Sequence, residues 1–447
     1  MIRKTLLAFL LTLLLCFSVA FASGAGQPTA KDLVLAKIKN FSLPVDKDFY
    51  DKSVGKTNFT ISKFEGSLAE ELEAEGLVLN GLSMDLSTQL DESKNILQLD
   101  YDIDAANKNY AGGVFITNDK IIFNKGVIKL LQDLGEDDPE IEELLQGNPR
   151  YLYLVDSEIS KLWKQIATYK NQQLPEGYKE MLLFMVEAIP DKYFKLSGSR
   201  VVIELDQQGM EDFIYSFLTK VRNEKERFAD IIISINQYQM HAGQDAEEMR
   251  AAIIAGIEEN PIPTREEIHE ISKFLKMEQL KYEASLIPGG TKSFNMKISF
   301  TSPFGDTGYF TVNYDAVGSE NNLKGHYQAA FKYNGAENVI VDAHVKGNFN
   351  YHGPAADDYF TVTASAEDTA TGELMLDLEA KSTSTSKVKK YLHLKAPNLT
   401  DSNSVDITPL LEADDEEVEV VEVEDLEVEF EKEFDEEFGE EFEEDLN

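Results

Sequence analysis

Apolar and polar residues alternate with a period of two over long parts of the chain. Leu82, Met84, Leu86 and Leu90 alternate with Ser83, Asp85, Ser87 and Gln89. After a polar turn, Leu97, Leu99, Tyr101 and Ile103 alternate with Gln98, Asp100, Asp102 and Asp104. This spacing predicts antiparallel strands with one apolar and one wet face. The apolar runs 114–116 and 121–123 flank Asn118-Asp119, the signal of a hairpin. Alternation returns after Pro288-Gly289-Gly290, with Phe294, Met296, Ile298 and Phe300 on one face and Phe310, Val312 and Tyr314 on the next. It continues through Tyr327, Ala329, Phe331 and Tyr333, then Val339, Val341, Ala343 and Val345, and then Phe360, Val362 and Ala364. Leu374, Leu376 and Leu378 extend it, and Leu392 and Leu394 predict a last strand.

Between the two strand blocks the period becomes helical. Stripes are formed by Ile159, Leu162, Trp163, Ile166 and Tyr169, by Met210, Phe213, Ile214, Phe217 and Val221, by Phe228, Ile231, Ile232 and Ile235, and by Met249, Ile253 and Ile257. Thr264 and Glu267 have the spacing of a capping box, opening a helix expected to bury Ile268, Ile271, Phe274 and Leu275. Residues 151–155 and 200–205 read as strands among these helices, and Leu33, Leu35 and Ile38 mark an early helix. Two strand blocks that each expose one apolar face are most simply combined in one sheet. The predicted class is therefore α+β: a large curved antiparallel sheet, built from the N- and C-terminal strand blocks, wrapped around a central helical insertion. The expected segments are 1–22 as leader, 23–124 as helix and strands, 125–287 as mainly helical insertion, 288–400 as strands and 401–447 as an acidic, disordered tail.

Composition narrows the function. Of 447 residues 43% are hydrophobic and 28% charged, so the chain can bury a core. With 42 Lys and Arg against 81 Asp and Glu, its formal charge of −39 repels phosphate backbones and excludes nucleic acid as an expected partner. Arg3 and Lys4, an apolar run from Leu6 and small residues at Ala20 and Ala22 have the layout of a secretory signal peptide, cleaved after Ala22. The sole cysteine, Cys16, lies inside that leader, and Leu15 before it is too bulky for a lipoprotein processing site. The exported chain would then have no disulfide, thiolate metal site or cysteine nucleophile, and no span long enough to cross a membrane as a helix. Residues 412–447 hold 21 acids and one base, Lys432, for a net charge of −20. Within them Leu426, Phe430, Phe434, Phe438, Phe442 and Leu446 recur at every fourth position. Such a tail is a solubiliser with incidental aromatics, a motif docking on a basic, apolar protein surface, or a low-affinity calcium binder that lacks the glycine-turn spacing of an EF-hand loop.

Catalytic motifs are weak. His269-Glu270-Ile271-Ser272-Lys273 lacks the second histidine of a zincin helix, and no phosphate loop, nucleophile elbow or dinucleotide fingerprint is present. If Asn334, Gly335 and Ala336 formed a three-residue loop, His326 would lie opposite His344 with Asp342 and Gln328 beside them, a possible zinc or copper site. The opposition of Lys324 and Lys346 in that register argues against a cation, so no cofactor or metal is expected. Trp163, Phe213 and Phe217 either line a ligand cavity or belong to the core.

The strand-helix-strand order after a leader, together with the step from 151–156 into Ile159 and Trp163, resembles the lipoprotein-carrier fold of the LolA and LppX type. That resemblance covers about 30–400 as architecture, and implies a curved sheet covered by helices around an apolar cavity. The expected function is a non-enzymatic, extracytoplasmic binding protein. It would carry an apolar small molecule, lipid or lipidated client between sheet and helices, with Trp163, Phe213 and Phe217 as ligand residues. The alternative is a structural or interaction protein of the bacterial cell envelope, acting through the tail and Phe430, Phe434, Phe438 and Phe442.

Overall fold

The computed structural model describes residues 29–40, 50–74, 77–105, 108–124, 126–127, 149–156, 159–170, 176–236, 246–302, 305–319, 322–335 and 338–409. Residues 1–28, with the segment expected as a leader, and 410–447, with Phe430, Phe434, Phe438 and Phe442, lie outside them.

The described strands form a single sheet of 16, antiparallel throughout except at one edge. A meander of β1 (Lys52–Glu65), β2 (Ser83–Asp91), β3 (Ile96–Ala105), β4 (Lys108–Ile116), β5 (Lys120–Asn124) and β6 (Tyr151–Val155) makes one half. The other half runs through β7 (Phe194–Ser197), β8 (Arg200–Leu205), β9 (Leu275–Ser285), β10 (Thr291–Thr301), β11 (Thr307–Ser319), β12 (Asn322–Asn334), β13 (Val339–His352), β14 (Ala355–Asp368) and β15 (Glu373–Val388). The halves join where β1 pairs with β15, and the sheet is open, with β7 at one edge and β16 (Ser404–Asp406) at the other. β9 falls inside the segment expected to be helical, and β16, placed with the tail by sequence, pairs parallel with β6. A three-residue polar strand has no period to read. The strand expected at Leu392 and Leu394 does not form: 390–400 is irregular, with Leu394 buried and Tyr391 exposed.

The register gathers most of the large apolar positions on one side. A row straight across nine strands runs Ala316, Gly325, Phe349, Asp358, Ser384, Thr57, Leu86, Tyr101, Gly112. The next row is Tyr314, Tyr327, Gly347, Phe360, Ser382, Phe59, Met84, Ile103, Tyr110. Gly112 and Gly347 sit beneath aromatic rings. A Cβ at Gly112 would fall 2.2 Å from the Tyr101 hydroxyl, and one at Gly347 2.4 Å from Tyr327 Cζ. Such pairs give a glycine's backbone the cover its own side chain cannot supply.

Helices cover the apolar face at the β8–β11 end. They are α1 (Ala30–Lys39), α4 (Glu176–Ala188), α5 (Gln207–Asn223), α6 (Lys225–Asn236) and, more peripherally, α7 (Ala246–Glu259) and α8 (Arg265–Ser272). The short α2 (Ser67–Ala74) packs beside β1 and β15, and α3 (Ile159–Lys170) lies near the turn between β2 and β3. Central in the core is α4, whose six residues from Met181 to Val186 are all buried. It meets Phe213, Phe217 and Phe228, with the Phe184 ring edge-on to Phe217 at 5.9 Å. Six consecutive apolar residues point all round the helix axis, so this stretch carries no amphipathic stripe. Arg227 binds Glu180, Glu187 and Glu224 together, holding α4 to α6.

The capping box of α8 forms as expected, but the helix ends at Ser272. Ile268 is buried, whereas Ile271 and Phe274 are exposed, because the chain turns there into β9. α1 has a second capping box, between Thr29 and Asp32, and buries Val34 and Ile38 while Leu33 and Leu35 are half-buried.

α1 also buries Lys37, which is 2% exposed and donates to the Ser285 carbonyl at 3.2 Å. Burial, with Lys292 nearby, pulls its ammonium down to about 6. Between that value and the unfolded lysine's value of about 10.4 the unfolded state holds more protons, so stability attributable to this residue rises with pH. Lys37→Met is expected to raise the melting temperature at pH 7, by about 2–4 °C for each kcal/mol of relieved desolvation. Thermal melts from pH 7 to 10 should show the gap to wild type shrinking; a constant gap would remove Lys37 as its cause.

Candidate functional site

His326 pairs across the strands with Asn348, and His344 with Ala330, because the β12–β13 ladder ends at Asn334 and Ile340. The connection is therefore four residues out of the expected register, closed by a Gly335 to Val339 hydrogen bond of 2.7 Å and a left-handed Asn338. An even shift keeps both imidazoles on the wet face but separates them. His326 lies 3.4 Å from Asp315 and His344 2.7 Å from Asp342, each an exposed or half-exposed pair. Among the described residues no three His, Asp or Glu side chains converge as a metal site.

A second cluster was not singled out by sequence. Adjacent Glu211 and Asp212 on α5 are both buried. Asp212 takes Lys192 and Arg265 at 2.6 Å each and the Tyr193 hydroxyl at 2.7 Å. Glu211 accepts from Ser272 at 2.6 Å and lies 3.1 Å from His269 Nδ1. Serine, histidine and carboxylate are thus in contact, but both groups bond the carboxylate and the hydroxyl is not handed to the imidazole. No base stands behind Ser272, as a nucleophile requires. The arrangement is a clamp that ties α8 and the Asp191–Tyr193 turn to α5.

Trp163, Phe213 and Phe217 are all buried, and the structure does not bring them into one site. The Trp163 indole donates to the Thr117 carbonyl at 2.7 Å, at the turn between β4 and β5. Phe213 and Phe217 belong to the helical core, their rings 6.0 Å apart.

The remaining candidate is the apolar face itself. From β12 through β15 and on to β3 its side chains are mostly half-buried: Val345, Val362, Leu378, Ile61, Leu86 and Leu99 are examples. Phe331 is 37% exposed. The reverse face of the same strands carries residues such as Lys324, Asn348, Lys381, Asp85 and Asp102. Near the limit of the helical cover an aromatic group gathers: Tyr314 stacks on Phe349 at 5.8 Å, and Phe349 meets Tyr351 at 5.6 Å. Burial pushes the Tyr314 phenol up to about 12. Sequence periodicity supplied the face, whereas the grouping of these rings required the register.

The sequence matches no protein-family model and no curated protein. Solved structures include a loop L8 deletion mutant of OmpT, an outer membrane protein of Vibrio cholerae, at 7% identity over 75% of this chain and 97% of that one, with a TM-score of 0.18. Another is the CymD monoaromatic hydrocarbon channel, at 8% identity over 76% and 89%, with a TM-score of 0.12. Likenesses this slight carry no argument about fold or function. No described helix is long and apolar enough to cross a membrane.

The clamp has a measurable consequence. Its cationic and phenolic partners hold the Asp212 carboxyl far below the usual range against the opposing effect of burial. Its stabilisation is present above the unfolded value near 3.9 and is lost as pH falls toward the folded one. Asp212→Asn is expected to cost about 1–3 kcal/mol at pH 7 by urea unfolding. The deficit should narrow below pH 4; an undiminished deficit there would assign the loss to packing instead of charge.

Proposed function

We propose that this is a non-enzymatic, exported binding protein that holds an apolar ligand, such as an acyl chain of a lipid or lipidated client, against the apolar face of its sheet. The observation that carries this reading is the continuation of that face past the described helices, over strands whose reverse side is strongly polar. A surface of Val, Leu, Ile and Phe left half-exposed over several strands is costly in water and offers an apolar partner a gain on contact. Burying a methylene contributes about 0.8 kcal/mol, so ten of them supply roughly 8 kcal/mol before association entropy is subtracted. The small residues Ala329, Ala343, Ala364 and Ala380 among the larger ones leave shallow relief suited to a flexible chain. The leader-like start fits a place outside the cytoplasm, and the resemblance to lipoprotein carriers agrees with the same role.

The test is direct. Native mass spectrometry and solvent extraction of purified protein should recover an apolar molecule. Val362→Trp, in the middle of the face, should weaken binding of a palmitoyl probe at least about tenfold by filling the surface that the chain would use. Extracts free of apolar molecules, with no binding of the probe by wild-type protein, would overturn the proposal.

A further inference from the structure

We infer that the ligand of this face carries a cationic head, an amine or quaternary ammonium, held by the carboxylate of Asp358 beside the phenol rings of Tyr327 and Tyr351. The inference rests on the apolar-ligand reading and adds the chemistry of the ligand's polar end.

Asp358 lies on the apolar side of the sheet. Its cross-strand partners are Phe349 and Ser384, and Ala356 and Phe360 flank it on its own strand. The many other acids of β2, β3 and β14 that face the wet side need no explanation; a carboxylate among aromatic rings does. No side-chain hydrogen bond or ion pair joins the Asp358 carboxylate to another described residue. Burial accordingly raises its pKa, and the phenols of Tyr327 and Tyr351 are raised first by their own burial and then by the Asp358 charge beside them. An ionised group so placed, without a partner, is unfavourable until something neutralises it.

The surroundings favour one kind of partner. Gly347 is buried and lacks the Cβ that would fall 2.5 Å from the Tyr327 hydroxyl, so the Tyr327 ring lies across β13 toward β14. Tyr351 approaches from the other side, in contact with the buried Phe349. A carboxylate bordered by aromatic rings attracts an organic cation twice, through charge and through the ring quadrupoles. It repels a fatty acid's carboxylate. The polar positions continue through Ser382, Ser384 and Thr57, and the Thr57 and Ser384 hydroxyls are 2.7 Å apart. The island is polar enough for a head group, while Val345 and Val362 one row beyond Gly347 and Phe360 receive a tail. The chain's charge of −39 also concentrates cations around it.

The test uses full-length protein and three probes of equal chain length: decyltrimethylammonium, decanol and decanoate, each titrated calorimetrically below its aggregation concentration. Wild type is expected to bind the ammonium about tenfold or more tightly than decanol, and decanoate most weakly. In Asp358→Asn the preference for the ammonium should vanish while affinity for decanol stays within about twofold. The same variant should melt no lower than wild type at pH 7, because it removes a half-buried charge, and this keeps a folding defect from passing as a binding defect. Tyr327→Leu, which removes one of the two rings, should reduce the preference by a smaller factor. Equal binding of ammonium and decanol by wild type, or an ammonium preference that survives Asp358→Asn, would overturn the cationic head and leave the apolar ligand standing. A loss of decanol binding in Asp358→Asn would also overturn it, in favour of a hydroxyl donor. Failure of all three probes to bind wild type would overturn both readings together.

Discussion

The structure depends on one constraint: every strand must keep the parity of its alternation across the seam between β1 and β15. The two meanders could each form alone, but their apolar sides coincide only because Thr57 meets Ser384, Phe59 meets Ser382 and Ile61 meets Ala380. A slip of one residue there would turn one half of the sheet inside out. The seam is rich in hydroxyls instead of large apolar side chains, and a bulge between Ile61 and Lys63 absorbs a change of register near its end. Its partners are 327 residues apart in the chain at Thr57 and Ser384, which makes it an expensive contact to close and a late one. We therefore expect each meander to be ordered before the sheet is whole.

Once the face is continuous, the placement of the helices divides it into two regions. At the β8–β10 end, α4 and its neighbours complete a dense core with Phe184, Phe213, Ile203 and Leu280 all at or below 1% exposure. Beyond β11 the described helices contribute little, and the same pattern of side chains becomes a surface instead of a core. The Tyr314, Phe349 and Tyr351 group stands near this boundary, with Asp358 just past it. The proposed ligand surface lies where the described helices leave the sheet uncovered, and the acidic clamp at Glu211 and Asp212 lies where they cover it.

The polar clusters illustrate why proximity of reactive residue types is a poor guide to chemistry. Ser272, Glu211 and His269 touch, yet the proton of the serine goes to the carboxylate, so the group tightens a helix contact. Asp358 has no such network and for that reason is the more informative carboxylate. A satisfied buried acid is explained by the fold; an unsatisfied one on the apolar face is not.

Parity is what the sequence determined by itself. Alternation in β2, β3 and β10 through β15 identified the strands and the face of each residue, since side chains point to opposite sides at every step whatever the partner strand. The capping signal at Thr264 and the hairpin at Asn118-Asp119 were legible because their chemistry is local. Which residues meet was decided by tertiary structure. His326 and His344 are separated because the β12–β13 connection is longer than a tight turn, a four-residue change that preserves parity and so leaves the apolar pattern untouched. α4 gave no stripe because its six consecutive apolar residues point all round the axis, and Trp163 and the Phe213–Phe217 pair, alike in spacing, were sent to different parts of the molecule. Asp358 was one acid among 81 until the register set it between Phe349 and Ser384, half-buried on the apolar side of the sheet.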